Sequence, residues 1–125
     1  MIRISQRDYR KWPVEIRTKL RNLTLREDSG LLANVHKINT YGLDHKSFVM
    51  FEHGEVIAWA LATKDEDFNE YDIMLYVRRD RRYNGYGRRL FSRARYWVAK
   101  QGRRYYFFDE PTTRTFFKKV APEKF

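Results

Sequence analysis

Ile2 and Ile4 alternate with polar neighbours from Met1 to Ser5, the period-two pattern of a short strand with one buried face. The period then changes. Ile16, Leu20 and Leu23 recur at helical spacing behind Trp12-Pro13, which predicts a helix over 13–25 with Pro13 at its first position. Ser29 is placed to cap a second helix over about 30–38 that carries Leu31, Leu32 and Val35 on one side, and Tyr41-Gly42-Leu43-Asp44 reads as a loop. Two β-rich runs follow, Ser47–Glu52 and Val56–Thr63, joined by His53-Gly54-Glu55, which is the pattern of a β-hairpin. An acidic connection over 64–69 leads to Glu70–Val77, apolar on both faces toward its end as a central strand is.

The strongest helical signal comes next. Leu90, Phe91, Ala94, Trp97 and Val98 fall at i, i+1, i+4, i+7 and i+8, and Gly102 stands where such a helix stops. Arg104–Asp109 reads as one more strand, and Pro111 opens a short final helix with Phe116 and Phe117. The predicted order is β-α-α-β-β-β-α-β-α, a mixed α/β fold in one domain over 1–125. The strands on either side of the 88–101 helix are expected to pair in parallel, because a strand–helix–strand crossover produces parallel neighbours.

Composition sharpens this picture in three ways. Hydrophobic residues are 42% of 125 and aromatics 17%, enough to offset the ordering entropy of a single core. There is no cysteine, which excludes disulfides, thiolate metal sites and cysteine chemistry, and His36, His45 and His53 lack metal-ligand spacing. No apolar run approaches the length of a membrane span and the N-terminus lacks a signal-peptide core, so a cytoplasmic protein without a membrane partner is expected. The net charge of +10 is not spread evenly. Eleven Lys/Arg and the single acid Asp80 between Arg78 and Arg104 account for all of it. A field so concentrated attracts polyphosphates or acidic partners.

Within that segment, Arg82-x-x-Gly85-x-Gly87 lies between an apolar strand end and the start of the amphipathic helix. Glycines there allow positive φ and close backbone approach, the first helical amides point outward, and Arg82, Arg88 and Arg89 add bidentate donors. This is a phosphate cradle. It is not a nucleotide-hydrolysing P-loop, since Gly-x-x-x-x-Gly-Lys-Ser/Thr is missing, and Leu90 stands where a dinucleotide fingerprint needs its third glycine.

These residues resemble the GNAT family of acyl-CoA-dependent N-acyltransferases, whose signature Arg/Gln-x-x-Gly-x-Gly/Ala follows the fourth strand and grips the pyrophosphate of coenzyme A. The run Leu75–Phe91 matches without a gap, and the order of elements matches from Met1 to Phe117. The compact chain is also similar to small phage-encoded GNAT-like proteins. The resemblance implies acetyl-CoA as acyl donor, no metal, and an amine of a protein, peptide or small molecule as acceptor. It implies that Arg82, Tyr83, Asn84, Gly85, Tyr86, Gly87 and Arg88 hold the pyrophosphate. The main chain of Leu75, Tyr76 and Val77 would run beside the pantetheine arm, with the Leu75 amide facing the thioester carbonyl. The final helix, around Thr112 and Phe116, would flank the coenzyme.

Two departures bear on the chemistry. The position that often carries a tyrosine on the last helix is Phe117, which has no hydroxyl. The base position on the fourth strand is Tyr71, with Glu70 and Asp72 on the opposite face of a regular strand, and Asp109 is a further candidate base. The chain ends before the terminal hairpin of most family members, leaving a sheet edge open to a second copy in a homodimer. A second reading therefore stands beside the N-acetyltransferase: a GNAT-like binding module whose basic segment engages nucleic acid or an acidic protein.

Overall fold

The computed structural model describes residues 1–25, 29–65, 67–107 and 113–125. Its elements are β1 (Ile2–Arg7), α1 (Val14–Thr24), α2 (Ser29–Tyr41), β2 (His45–Glu52), β3 (Glu55–Lys64), β4 (Glu70–Val77), α3 (Tyr86–Lys100), β5 (Arg104–Tyr106) and α4 (Arg114–Val120). The order is the predicted mixed α/β one. The strands form one sheet in the order β1-β2-β3-β4-β5, antiparallel throughout except for the last pair. That pair, β4 with β5, is parallel because α3 carries the chain back across the sheet.

The sheet is buried on both faces. Phe48, Met50, Ala60 and Ile73 meet Leu90, Phe91, Ala94 and Val98 of α3, with Phe117 of α4. Val49, Trp59, Leu61 and Tyr76 point the other way, toward Leu20 of α1 and Leu31 and Ile38 of α2. β3 lies in the middle and has no exposed residue from Val56 to Thr63, which explains its continuous apolar sequence. Two indoles carried inside find partners: that of Trp59 donates to Thr24 Oγ1 at 2.9 Å, and that of Trp12 to Ser47 Oγ at 2.7 Å. The β2–β3 hairpin turns on His53 and Gly54, both at positive φ (50° and 81°), the backbone that a two-residue primed turn requires.

Local boundaries differ from the sequence pattern at several places; β2 begins two residues early at His45, and β5 ends at Tyr106 with Phe107 already outside the strand. Pro13 precedes α1 rather than opening it; its ψ is 150°, and its carbonyl accepts the Arg17 amide at 3.0 Å. α2 begins at Ser29 and runs on to Tyr41, three residues past the expected end, where Gly42 at φ 65° stops it. A 3-10 turn at Tyr9–Lys11 precedes α1, with no hydrophobic period to announce it.

That turn is held by Asp8, whose Oδ1 accepts the Arg10 amide at 2.9 Å while the Arg10 guanidinium grips both carboxylate oxygens. The Arg10 hydrogen bonds hold the Asp8 carboxyl far below the usual carboxylate range. A depressed native pKa stabilises the fold above the unfolded value of about 3.9, and the contribution is lost as pH falls through the native one. Asp8→Asn keeps a capping oxygen but not the charge. It is therefore expected to be less stable than wild type at pH 7, by at most ~1 kcal/mol, with the gap closing in urea titrations below pH ~4.

Candidate functional site: the β4–β5 fork

β5 pairs with β4 only at Glu70, Tyr71 and Asp72, opposite Arg104, Tyr105 and Tyr106. Beyond Asp72 no described strand faces the outer edge of β4, so the sheet opens there as a fork. Hydrogen bonding fixes which peptide groups look into it. The Arg78 amide donates to Ile57 of β3 at 2.8 Å, and the Glu70 carbonyl accepts from Asp65 at 2.7 Å, so even-numbered peptide units of β4 turn toward β3. The odd-numbered units, including Leu75 and Val77, turn outward. Leu75 is thus placed with its amide toward the open edge. Tyr76 is not: its peptide unit turns toward Trp59 of β3, and its ring is buried in the cluster beneath α1 and α2. Val77 offers less than expected, because its carbonyl already accepts Arg82 Nε at 2.9 Å.

At the mouth of the fork the chain turns into α3. A 3-10 turn at Arg79–Arg81 is followed by extended Arg82 and then by two left-handed residues, Tyr83 (φ 66°) and Gly85 (φ 78°). Asn84 Nδ2 fastens the turn by donating to the carbonyls of Arg81 and Arg82, at 3.0 and 3.3 Å. The first helical bond runs from the Arg89 amide to the Gly85 carbonyl at 3.1 Å. The amides of Gly85, Tyr86, Gly87 and Arg88 therefore have no acceptor within the helix, and the positive end of a 15-residue macrodipole stands behind them.

The two glycines do different work. Gly85 supplies the left-handed backbone. Gly87 has helical backbone, against the expectation of positive φ, and serves by having no side chain: a Cβ there would lie 3.0 Å from Cε1 of Phe116 and 3.6 Å from Val77 Cγ2. Phe116 does flank the cradle, and it does so by packing on Gly87. Gly87→Ala is expected to destabilise the native protein, and to become neutral or favourable by up to ~1 kcal/mol in a Phe116→Ala background, where helix propensity alone acts. A double-mutant cycle in urea measures the coupling.

Not all the arginines of the segment serve an anion. Arg81 Nε donates to Glu52 Oε1 at 2.6 Å, and Arg78 pairs with Asp80 and Glu55, which pins the turn to the β2–β3 hairpin. These contacts raise both arginine pKa values, and the Arg78 hydrogen bond lowers that of Asp80. Arg82 lies with its guanidinium over the Tyr76 ring. Arg88 and Arg89 are exposed at the start of α3.

At the crotch of the fork the register brings a polar group together on the α2 face. Asp72 is 4% exposed, and its Oδ2 accepts Asn34 Nδ2 of α2 at 2.9 Å. Tyr106 sits opposite Asp72 on β5 and donates its hydroxyl to Asp65 Oδ2 at 3.0 Å. Burial, then the negative charge of Asp72, then the Asp65 contact raise the Tyr106 phenol above its usual range, so it stays protonated. Glu70, two residues before Asp72, is at the surface end, where it lines a shallow depression with Arg103 and Arg104. Tyr71 faces the opposite side, against Trp97, and donates to Asp44. Phe117 is buried and stacks on Phe107 at 3.9 Å, a core role. Asp109 and Thr112 lie outside the described residues. Asn34 and Tyr106 were not singled out from the sequence.

A profile of the acetyltransferase (GNAT) family matches residues 5–119, and the chain belongs to that family. A comparison with curated protein sequences finds no match. Among solved structures, the chain is similar to AAC(6')-Iy in complex with the bisubstrate analogue CoA-S-monomethyl-acetylneamine, with TM-score 0.68, 19% identity, and 98% of this chain and 88% of that one covered. It is also similar to an aminoglycoside acetyltransferase, meta-AAC0020 from an uncultured soil metagenomic sample, in complex with sisomicin (TM-score 0.71, 13% identity, coverage 98% and 88%). A third likeness is to a predicted acetyltransferase from Clostridium acetobutylicum with acetyl-CoA (TM-score 0.67, 14% identity, coverage 97% and 89%). At such identities the likeness establishes the fold. No described helix is long and apolar enough to cross a membrane, and no group of three or more His, Asp or Glu among the described residues could hold a metal ion.

Proposed function

We propose that the protein is an acetyl-CoA-dependent N-acetyltransferase acting on a cationic primary amine. The observation that carries this reading is the fork itself: an anion cradle at one end of the open β4 edge and the Asp72–Tyr106 pair at the other. The open amides from Gly85 to Arg88 hold the pyrophosphate, with Arg88 and Arg89 adding charge. The outward Leu75 amide lies between the two ends and donates to the thioester oxygen, where negative charge develops. The bound donor supplies a thioester carbon open to attack by an amine.

The acceptor comes from the α2 side. Asp72 and Asp65 place two carboxylates on the α2 side of the fork, which favours an amine that arrives there as an ammonium group. Asp72 takes its proton, directly or through one water, and frees the nitrogen lone pair. The new N–C bond forms as the C–S bond breaks. Tyr106, kept protonated by burial and then by its carboxylate neighbours, relays the proton that Asp72 has taken to the departing sulfur, and the phenol is left neutral. This assigns to β5 the role that Phe117 lacks the hydroxyl to fill.

The test is thermal unfolding of the full chain with acetyl-CoA. At a hundredfold excess over the dissociation constant the ligand should add about 2.7 kcal/mol, a rise of several degrees in Tm. An unchanged Tm at millimolar acetyl-CoA would remove the acetyl-CoA reading.

A further inference from the structure

The outer face of α3 carries positive charge that continues well beyond the fork. Arg89, Arg93, Tyr96 and Lys100 recur at steps of four, three and four, so they form one exposed stripe along the helix. At 1.5 Å per residue, Lys100 stands roughly 20 Å beyond Gly87, out of reach of an anion bound at the helix start. Arg88, Arg89, Arg93 and Lys100 make no ion pair with a described carboxylate. In contrast, Arg78, Arg81 and Arg95 of the same segment each lie against one. The segment is therefore divided between arginines spent on the fold and cations left facing solvent.

The stripe borders a groove between α3 and β1. Its cavity is about 410 Å³, lined by Gln6, Arg93, Tyr96, Trp97 and Lys100. Lys46 of β2 lies against the Trp97 ring, its Nζ 5.9 Å from the ring centre. Tyr96 is 62% exposed, with Lys100 Nζ 5.2 Å from its ring centre. No carboxylate lines the groove. Cations alone would suit any polyanion, including an acidic peptide. The exposed Tyr96 ring among them, beside this recess, suits a chain that alternates phosphates with the free ring faces of unpaired bases. A duplex hides those ring faces.

We propose that the outer face of α3 binds single-stranded nucleic acid without sequence preference. Phosphates lie on Arg88, Arg89, Arg93 and Lys100, and a base stacks on Tyr96 at the mouth of the groove. The surface meets the fork only at Arg88 and Arg89 and runs from there to Lys100, so it does not depend on the acetyl-transfer reading.

The experiment is fluorescence anisotropy of a labelled 20-nucleotide oligouridylate with the full chain between 50 and 200 mM KCl. Four neutralised phosphates on a single strand give a log–log slope near −3, which is a loss of about 50-fold in affinity over that range. R93E/K100E should weaken binding at least tenfold and flatten the slope by ~1.4. Tyr96→Ala should weaken it roughly 5- to 100-fold at unchanged slope, the signature of lost stacking. Each variant is checked for an unchanged far-UV spectrum and melting temperature. Saturating acetyl-CoA should leave most of the binding in place. The proposal is overturned by no binding at 50 mM KCl, by full displacement with acetyl-CoA, or by R93E/K100E binding like wild type. It is equally overturned if polyglutamate or a duplex of the same length competes as well as the oligouridylate.

Discussion

Asp72→Asn is expected to lower kcat/KM by 10²- to 10⁴-fold while leaving the acetyl-CoA-induced rise in Tm intact. The substitution changes little in shape. An asparagine at 72 still offers an oxygen to Asn34 Nδ2, now bonded at 2.9 Å, and keeps the volume of a side chain that is 4% exposed. What it removes is the charge that draws an ammonium group to the crotch of the fork and the site that accepts its proton. The loss corresponds to ~2.7–5.4 kcal/mol of transition-state stabilisation. It is read as the rate of free thiol released from acetyl-CoA across a panel of small primary amines. The cradle amides belong to α3, several residues along the chain from Asp72, so donor binding provides the internal control. If the variant turns over like wild type, Asp72 is a buried structural carboxylate and the base is elsewhere. If both rate and donor binding are lost, the substitution has damaged the fold.

The fork was legible in the sequence only in part, for reasons that can be named. β4 was bounded at Glu70 and Val77, and the parallel partner followed from the helix between them, because strand patterning and crossover handedness are local rules. The cradle could be placed because glycine and arginine punctuate a strand–turn–helix junction. The function of Gly87 could not, since it depends on Phe116 arriving from α4, 29 residues later, to fill the space a Cβ would take. Tyr76 was misassigned because alternation along β4 says which peptide units turn outward only once the register with β3 is fixed. The pairing of Asp72 with Tyr106 is a register fact of the same kind. One signal was present: Glu70 opposite Arg104 is an opposite-charge pair, and setting that register places Tyr106 against Asp72 two residues on. Asn34 had no such signal, because it reaches Asp72 from a helix 38 residues away.

The charge of the basic segment could be counted from the sequence but not apportioned. Arg78 and Arg81 are spent on Glu55, Asp80 and Glu52, holding the turn against the hairpin. What remains near the helix start is mostly backbone: four amides and the end of a dipole. Backbone donors have an advantage over arginine side chains here, since they are held by the helix and lose no rotamer entropy when an anion binds. This makes the conformation of the turn, rather than any one arginine, the feature on which donor binding depends most.

Gly85 is the residue at which that dependence can be tested. Its backbone is left-handed (φ 78°, ψ 7°), and a Cβ there would have nothing within 4 Å. Asparagine and aspartate both tolerate this conformation, at a cost of ~1 kcal/mol or less, and both cap helices well. Gly85→Asn and Gly85→Asp should therefore fold alike, and the aspartate gains from the dipole. They should part on addition of acetyl-CoA. The asparagine variant is expected to keep the stabilisation of about 2.7 kcal/mol at a hundredfold excess over the wild-type dissociation constant. The aspartate variant places a carboxylate beside the amides proposed to hold the pyrophosphate. Two unit charges 4 Å apart near a protein surface repel by ~4 kcal/mol before further screening, so affinity should fall about a hundredfold. At the same ligand concentration its stabilisation then shrinks to about 0.4 kcal/mol, a change in Tm of a few degrees at most. If the two variants respond equally, the anion does not sit on the amides of α3. If neither responds while both fold, the glycine backbone itself is what the ligand needs.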